Sequence, residues 1–367
     1  MDKPVIVISA INLRSGGPLT ILQDCLKYLS NSDVSKKYRI IALVHKKELA
    51  FHPNIEYVEF QDSVGNWAKR IYYEYLKFYK LSLKLNPYLW LSLHDTSPRV
   101  KVDRQAVYMH NPSIVNKIKW SDFKYDKTYI IFSLLYKYVY RLNIKKNRHC
   151  IVQQFWLKDS IARMFNIAKD SIVVARPFNK TVNNEMPPVN NNCKQFFFPS
   201  YPRPFKNFET VCEAAKILYN EGIENITIKL TINGTESAYS KSIVEKYNNI
   251  PIIRFCGILF KEEMQAAYRE TDCLIFPSRL ETWGLPISEF IPFNKPIIAA
   301  DEPYSHETTE GGKLVAFFKT NSPLELSNLI KDSIKGDFSK FSSITPRKLE
   351  QPFASSYKEL FDILLNS

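Results

Sequence analysis

The chain has 367 residues, enough for two domains of ordinary size, and its 45% hydrophobic and 24% charged residues are those of a soluble globular protein. Its six cysteines (Cys25, Cys150, Cys193, Cys212, Cys256 and Cys273) are scattered with no Cys-x-x-Cys pair, which argues against a zinc site or a disulfide framework and for a reducing compartment. The net charge of +13 is uneven: Met1–Lys180 carry 30 Lys and Arg against 14 Asp and Glu (+16), the remainder 20 against 23 (−3), so the first half could meet nucleic acid or an anionic membrane surface.

The opening "MDKPVIVISA" lacks the charged and apolar regions of a signal peptide and reads as a strand. In "INLRSGGPLTILQDCLKYL", Gly16 and Gly17 allow close backbone approach at a strand end, and Pro18 can open a helix that covers Thr20 to Leu29. This is not a Gly-x-Gly-x-x-Gly fingerprint, so a nicotinamide cofactor is not expected. Further strands are "RIIALV", "YLWLSL", "AVYM" and "CIVQ". Between them, "WAKRIYYEYLKFYKLSLKL" places Arg70, Lys77, Lys80 and Lys84 on one helical face, with Trp67, Ile71, Tyr75, Phe78 and Leu85 across from them. Lys137, Arg141, Lys145, Lys146 and Arg148 form a second basic patch. These patterns fit either helices lying on anionic lipid or helices covering a sheet with a solvated basic face. "TYIIFSLLYKYVYRL" is broken by Lys137 and Arg141, so no spanning helix is expected. His94 and His110 each end a strand, as site residues or as capping and core histidines.

The segment Arg176 to Lys194, rich in Asn and Pro, reads as an interdomain linker. After it come the strands "FFFPS", "ITIKLTI", "IIRFC", "CLIF", "PIIAA" and "LVAFF", with helical patterns between most of them, as over Asn207 to Tyr219 and Glu262 to Thr271; Ser160 to Phe165 is a helix of the first half. Strands alternating with helices predict two doubly wound parallel α/β domains, which bind ligands beyond the carboxyl ends of their strands. The tail "PFASSYKELFDILLNS" reads as a terminal helix capped at Ser355 or Ser356. Within "FPSRLETWGLPISEF", Pro286 opens a helix of about two turns, with Glu289 in its first turn and Glu281 in the loop before it. The helix start suits a phosphate, and two carboxylates there would accept hydrogen bonds from sugar hydroxyls; equally, Glu289 could be a favourable first-turn acid and Glu281 a solvated loop residue.

Pro277, Ser278, Glu281, Gly284, Leu285, Pro286 and Glu289 resemble the P-S-x-x-E-G-F/W-G-L-P-x-x-E signature of family 4 retaining glycosyltransferases, with Thr282 at the usual Gly and Trp283 in the aromatic slot. "SYPRPFKNFETVCEAAKIL", "TINGT" and "FCGILFKEEMQAAYRETDCLIFPS" are similar to further stretches of that family, as is "EPYSHET" with Glu307; "HNP" and "VQQFW" look like O-antigen or capsule glycosyltransferases. The resemblance implies the GT-B fold, two Rossmann-like domains facing across a cleft: an acceptor-side domain 1–178, a linker 179–194, a nucleotide-sugar domain 195–350 and a C-terminal helix 351–367 packing back toward the first domain. It implies a retaining, metal-independent transferase with no cofactor. Sugar would pass from a UDP- or GDP-linked donor to a polyprenyl diphosphate-linked glycan in surface polysaccharide synthesis, with nucleic acid not among the partners. The protein would be cytoplasmic and peripheral on the inner face of the bacterial membrane, with Arg70, Lys77, Lys80 and Lys84 as the acceptor and membrane face. Glu289 would hold ribose hydroxyls, Glu281 would lie near the donor sugar, Lys206 would neutralise the diphosphate, and His110 would orient the sugar's primary hydroxyl. Gly16, Gly17, Gly234, Thr282, Trp283, Gly284 and Leu285 would line the donor. The family's arginine falls where this chain has Tyr201, a departure from the pattern in which Arg203, three residues before Lys206, would have to supply the charge from a shifted loop. A GT-B nucleotide-sugar epimerase, and a non-catalytic basic protein binding membrane or nucleic acid, are the alternative readings.

Overall fold

A computed structural model describes residues 3–63, 67–115, 135–178 and 192–366. These form two units, one holding residues 3–115, 135–178 and 349–366 apart from 64–66, the other 192–348. Residues 179–191 of the expected linker lie outside the described set.

The first unit is built on eight parallel strands: β1 Val5–Ala10, β2 Arg39–Val44, β3 Glu56–Glu59, β4 Leu89–Ser92, β5 Arg104–Tyr108, β6 His149–Val152, β7 Ile172–Ala175 and β14 Phe353–Ala354. Their order is β14-β7-β6-β5-β4-β1-β2-β3, so the winding reverses between β1 and β4. β1 is apolar throughout because both faces are covered: Ile6, Ile8 and Ala10 join one core cluster, Val5 and Val7 the other. The last helix, Tyr357–Asn366, packs Leu360, Phe361 and Leu364 into the first of these clusters. Tyr88 Oη donates to its Leu365 carbonyl at 3.0 Å.

The second unit has six parallel strands: β8 Gln195–Phe198, β9 Thr227–Leu230, β10 Ile253–Phe255, β11 Cys273–Phe276, β12 Ile297–Ala300 and β13 Val315–Phe318. The order β10-β9-β8-β11-β12-β13 puts its reversal between β8 and β11. The two parallel α/β units match the expected fold class. Among the described residues no helix is long and apolar enough to cross a membrane.

The predicted basic helix needs one correction. It runs as α-helix over Trp67–Tyr72, π-helix over Tyr73–Lys77 and α-helix again over Phe78–Leu85. A π turn carries more residues than an α turn, so side chains before it rotate away from the positions a 3.6-residue wheel assigns. Arg70 therefore faces inward and is 7% exposed, while Ile71, Tyr72 and Leu76 face out. Lys77, Lys80 and Lys84 are exposed and Phe78 is buried, as the wheel places them. The Trp67 side chain lies outside the described set.

Candidate functional site

In the second unit, sequence-distant residues converge at the β8/β11 reversal. After β8, a 3-10 turn Pro204–Lys206 is closed by the Lys206 amide donating to the Arg203 carbonyl at 2.9 Å. Asn207 follows with φ 63° and starts the helix Phe208–Asn220; its Nδ2 donates to the carbonyls of Pro277 at 3.1 Å and Thr320 at 2.7 Å. From the β11 side, the Arg279 amide donates to the Phe205 carbonyl at 2.8 Å and its Nη2 to the Pro204 carbonyl at 2.8 Å. These bonds lock the turn after β8 to the loop after β11. They set Lys206 Nζ 2.5 Å from Glu281 Oε1, with both side chains largely covered, at 17% and 12% exposure.

The helix Leu285–Phe290 is six residues long, with Gly284 as its N-cap at φ 88°. A side chain is disfavoured in that left-handed backbone, so the signature's second glycine has a conformational reason here. Thr282 is not in a left-handed conformation, so its β-carbon needs no glycine-like backbone. Trp283, expected among the residues that line the donor, follows in the same loop. The ring is buried, its Nε1 donates to Ser288 Oγ at 3.1 Å, and its carbonyl accepts from Thr308 Oγ1, because the loop turns it toward the core. Glu289 Oε2 accepts from Tyr268 Oη at 2.9 Å. Burial pushes the Glu289 carboxyl upward, against the pull of Tyr268 and Lys261. At Gly234, beyond β9, the amide donates to Glu236 Oε2 at 3.1 Å. Arg203 is exposed with its guanidinium 5.7 Å from the Tyr201 ring, and Leu285 is half-buried. Glu307 is buried with its Oε2 3.9 Å from Arg347 Nη1. Among the described residues no three His, Cys, Asp or Glu side chains converge as metal ligands would.

In the first unit, the β1/β4 reversal carries its own polar cluster. The exposed Gly16 and Gly17 begin the helix Gly16–Asn31, and a β-carbon at Gly17 would meet nothing within 4 Å. After β4, His94 is fully buried, with Nε2 2.8 Å from Ser9 Oγ and Nδ1 3.3 Å from Glu74 Oε1. Arg70 Nε donates to Glu74 Oε1 at 2.7 Å, and its Nη2 to the His94 carbonyl at 3.0 Å and Thr96 Oγ1 at 3.2 Å. Asp95, at φ 71°, accepts on Oδ1 from the amides of His110 at 2.5 Å and Asn111 at 3.0 Å. The His110 ring stacks on Tyr108 at 4.5 Å and donates from Nε2 to the Leu93 carbonyl at 2.9 Å. Burial lowers the affinity of that ring for a second proton, despite the neighbouring Asp95. With Nε2 donating to the Leu93 carbonyl, that nitrogen has no lone pair left to accept a proton.

The structure thus brings Lys206 and Glu281 together, and sets Glu289 on the helix that leaves the Glu281 loop. The sequence reading missed Arg279 and Tyr268, and weighed Asp95 only together with His94. Arg279 and Tyr268 act on the candidate site through contacts spanning 75 and 21 residues, which only the parallel β8–β11 register and helix packing reveal.

Residues 181–348 match the family described as glycosyl transferases group 1. The O-antigen chain mannosyltransferase RfbU of Salmonella typhimurium is 22% identical over 248 residues, a segment that spans 65% of this chain and 65% of that protein. Among solved structures, HepE of Anabaena in complex with UDP-glucose superposes with a TM-score of 0.63 at 14% identity, over 98% of this chain and 95% of that one. The lipopolysaccharide outer core galactosyltransferase WaaB does so with 0.65 at 11% identity, over 98% of each. This chain therefore has the fold of GT-B glycosyltransferases, and its residues 181–348 match the glycosyl transferases group 1 family.

Proposed function

We propose that the protein is a retaining glycosyltransferase that moves a sugar from a nucleoside diphosphate sugar to a lipid-linked glycan of bacterial surface polysaccharide synthesis. The observation that carries this reading is the meeting of Lys206 and Glu281 at the β8/β11 reversal, with Glu289 on the helix that follows. Departure of a nucleoside diphosphate leaves negative charge that needs fixed cations placed in advance. Lys206 is held for that task by the Arg279 and Asn207 clamps, with Arg203 as the exposed second cation of the same loop. Glu281 and Glu289 are suited to sugar and ribose hydroxyls, which carboxylates accept well. The proposed chemistry uses these side chains with no resident metal. His110 would orient the donor sugar. The roles of these relatives, O-antigen mannosyl transfer and lipopolysaccharide core galactosyl transfer, favour a glycan acceptor of the same kind.

The decisive test incubates the protein with a panel of UDP- and GDP-linked sugars, with and without a polyprenyl diphosphate-linked glycan. Free nucleoside diphosphate released only with acceptor is expected. A changed sugar without acceptor would make it an epimerase instead, and failure to bind every donor would remove the enzyme reading.

The lipid carrier would be met by the first unit's outer helices. Ile71, Tyr72, Leu76 and Leu83 are about half exposed among Lys69, Lys77, Lys80 and Lys84. Leu135, Tyr138 and Leu142 stand out similarly among Lys137, Arg141, Lys145 and Lys146. Apolar side chains interleaved with lysines suit an anionic lipid surface, at about 1 kcal/mol per cation near the membrane. Reversing Lys77, Lys80 and Lys84 to Glu should lower binding to phosphatidylglycerol vesicles at least tenfold (a conservative bound on several such cations) and leave donor binding in solution unchanged. Equal vesicle binding by both proteins would remove the membrane face. Arg70 has no place in that set, since it is buried.

A further inference from the structure

Glu289 sits on a short helix whose sequence, Leu285–Phe290, supplies no other charged side chain. A glutamate there has three rotatable bonds, and a hydroxyl-binding carboxylate is useful only when held in one orientation. The neighbouring helix Lys261–Glu270 supplies that restraint. Near its carboxyl end, Tyr268 is fully buried, with its ring 5.9 Å from Phe197, 5.9 Å from Phe290 and 6.3 Å from Phe293. Packed on three sides, the ring can present its hydroxyl in one place, and there it meets Glu289 Oε2 at 2.9 Å.

We propose that Tyr268 is a positioning residue for Glu289: its hydroxyl fixes Oε2, so that Oε1 is left aimed for the ribose hydroxyls of the donor. The proposal rests on the reading of Glu289 as a donor-binding carboxylate. A second consequence follows from the electrostatics. Burial pushes the Glu289 carboxyl toward its neutral form, while the Tyr268 hydroxyl and the Lys261 charge favour the carboxylate. Both come from the same helix. Removing only the hydroxyl leaves burial opposed by Lys261 alone, so the carboxyl should take up its proton at higher pH.

The test measures UDP and GDP binding by calorimetry, from pH 5 to pH 8, for the wild type, Tyr268→Phe, Glu289→Gln and the double variant. Tyr268→Phe keeps the ring and should weaken binding of the preferred nucleotide roughly tenfold at neutral pH, the scale of one hydrogen bond to a charged group. Its binding should also fail at a higher pH than the wild type's on acidification. The double variant should bind no worse than Glu289→Gln alone, because the hydroxyl acts only through that carboxylate. Wild-type affinity and pH profile in Tyr268→Phe would overturn the proposal. So would losses that multiply in the double variant, the pattern expected if the change merely damaged the fold. If Glu289→Gln itself binds as the wild type does, the donor role of Glu289 falls and the proposal with it, a result distinct from a failure of Tyr268 alone.

Discussion

Replacing Lys206 with alanine is expected to lower kcat/KM by about 100- to 1,000-fold, the usual cost of removing one pre-placed group that stabilises transition-state charge. The loss should fall mainly on kcat, because charge on the leaving diphosphate grows as the glycosidic bond breaks. The backbone clamps that place the residue do not involve its side chain: Arg279 bonds to the carbonyls of Pro204 and Phe205, and Asn207 to those of Pro277 and Thr320. The turn should therefore persist in the variant. Glu281 loses its 2.5 Å partner, so a modest drop in melting temperature is expected without loss of fold. Lys206→Arg keeps the charge but spreads it over a planar fork, and should recover only part of the rate. Steady-state kinetics on the three proteins decide the matter. A kcat/KM for Lys206→Ala within about threefold of the wild type would remove Lys206 from the machinery, since so small a change is far below what a leaving-group contact contributes.

How far the sequence reaches can be judged from particular elements. All six strands of the second unit stand out as apolar runs, and β11 and β12 are buried throughout because a central parallel strand is covered on both faces. β3, "EYVE", is missed because it is the exposed edge strand beyond β2, where burial demands little of it. β14 is a two-residue strand pairing with β7 from the far end of the chain, too short to leave a pattern. The helix face carrying Lys77, Lys80 and Lys84 is legible, but Arg70 is not, since nothing in the composition announces the π turn that rotates it. The glutamates of "RLETWGLPISEF" can be picked out by spacing, yet the pairing of Glu281 with Lys206 is a property of the β8–β11 register. Roles carried by buried contacts, such as Asp95 beneath His110, are chosen by tertiary packing, and a single sequence does not encode them as a spacing.

The second large effect concerns the buried charges of the first unit. Glu74→Ala is expected to destabilise this unit by about 3–5 kcal/mol, which is a large share of a typical total stability of about 5–15 kcal/mol. Arg70 would keep its bonds to the His94 carbonyl and Thr96 but lose its paired carboxylate, leaving a guanidinium inside the fold with only the weaker pull of Asp95 as counter-charge. Replacing both residues by apolar ones, as in Arg70→Met with Glu74→Leu, should cost less than Glu74→Ala alone, because no charge is then left unpaired. The pH dependence provides an independent check. Burial would raise the Glu74 carboxyl, but His94 and Arg70 overcome that and hold it down at about 2, against an ordinary 4.5. Because the folded value is the lower one, the contribution is fully present above about pH 4.5 and is lost as the pH falls toward 2. The gap in unfolding free energy between wild type and Glu74→Ala should therefore be widest near neutrality and narrow progressively through that acid range. A gap that is constant with pH would mean that Glu74 acts there as packing rather than as a charge. A single variant that unfolds with the wild type at neutral pH would overturn the account, and with it the reason Arg70 is held inside rather than offered to solvent.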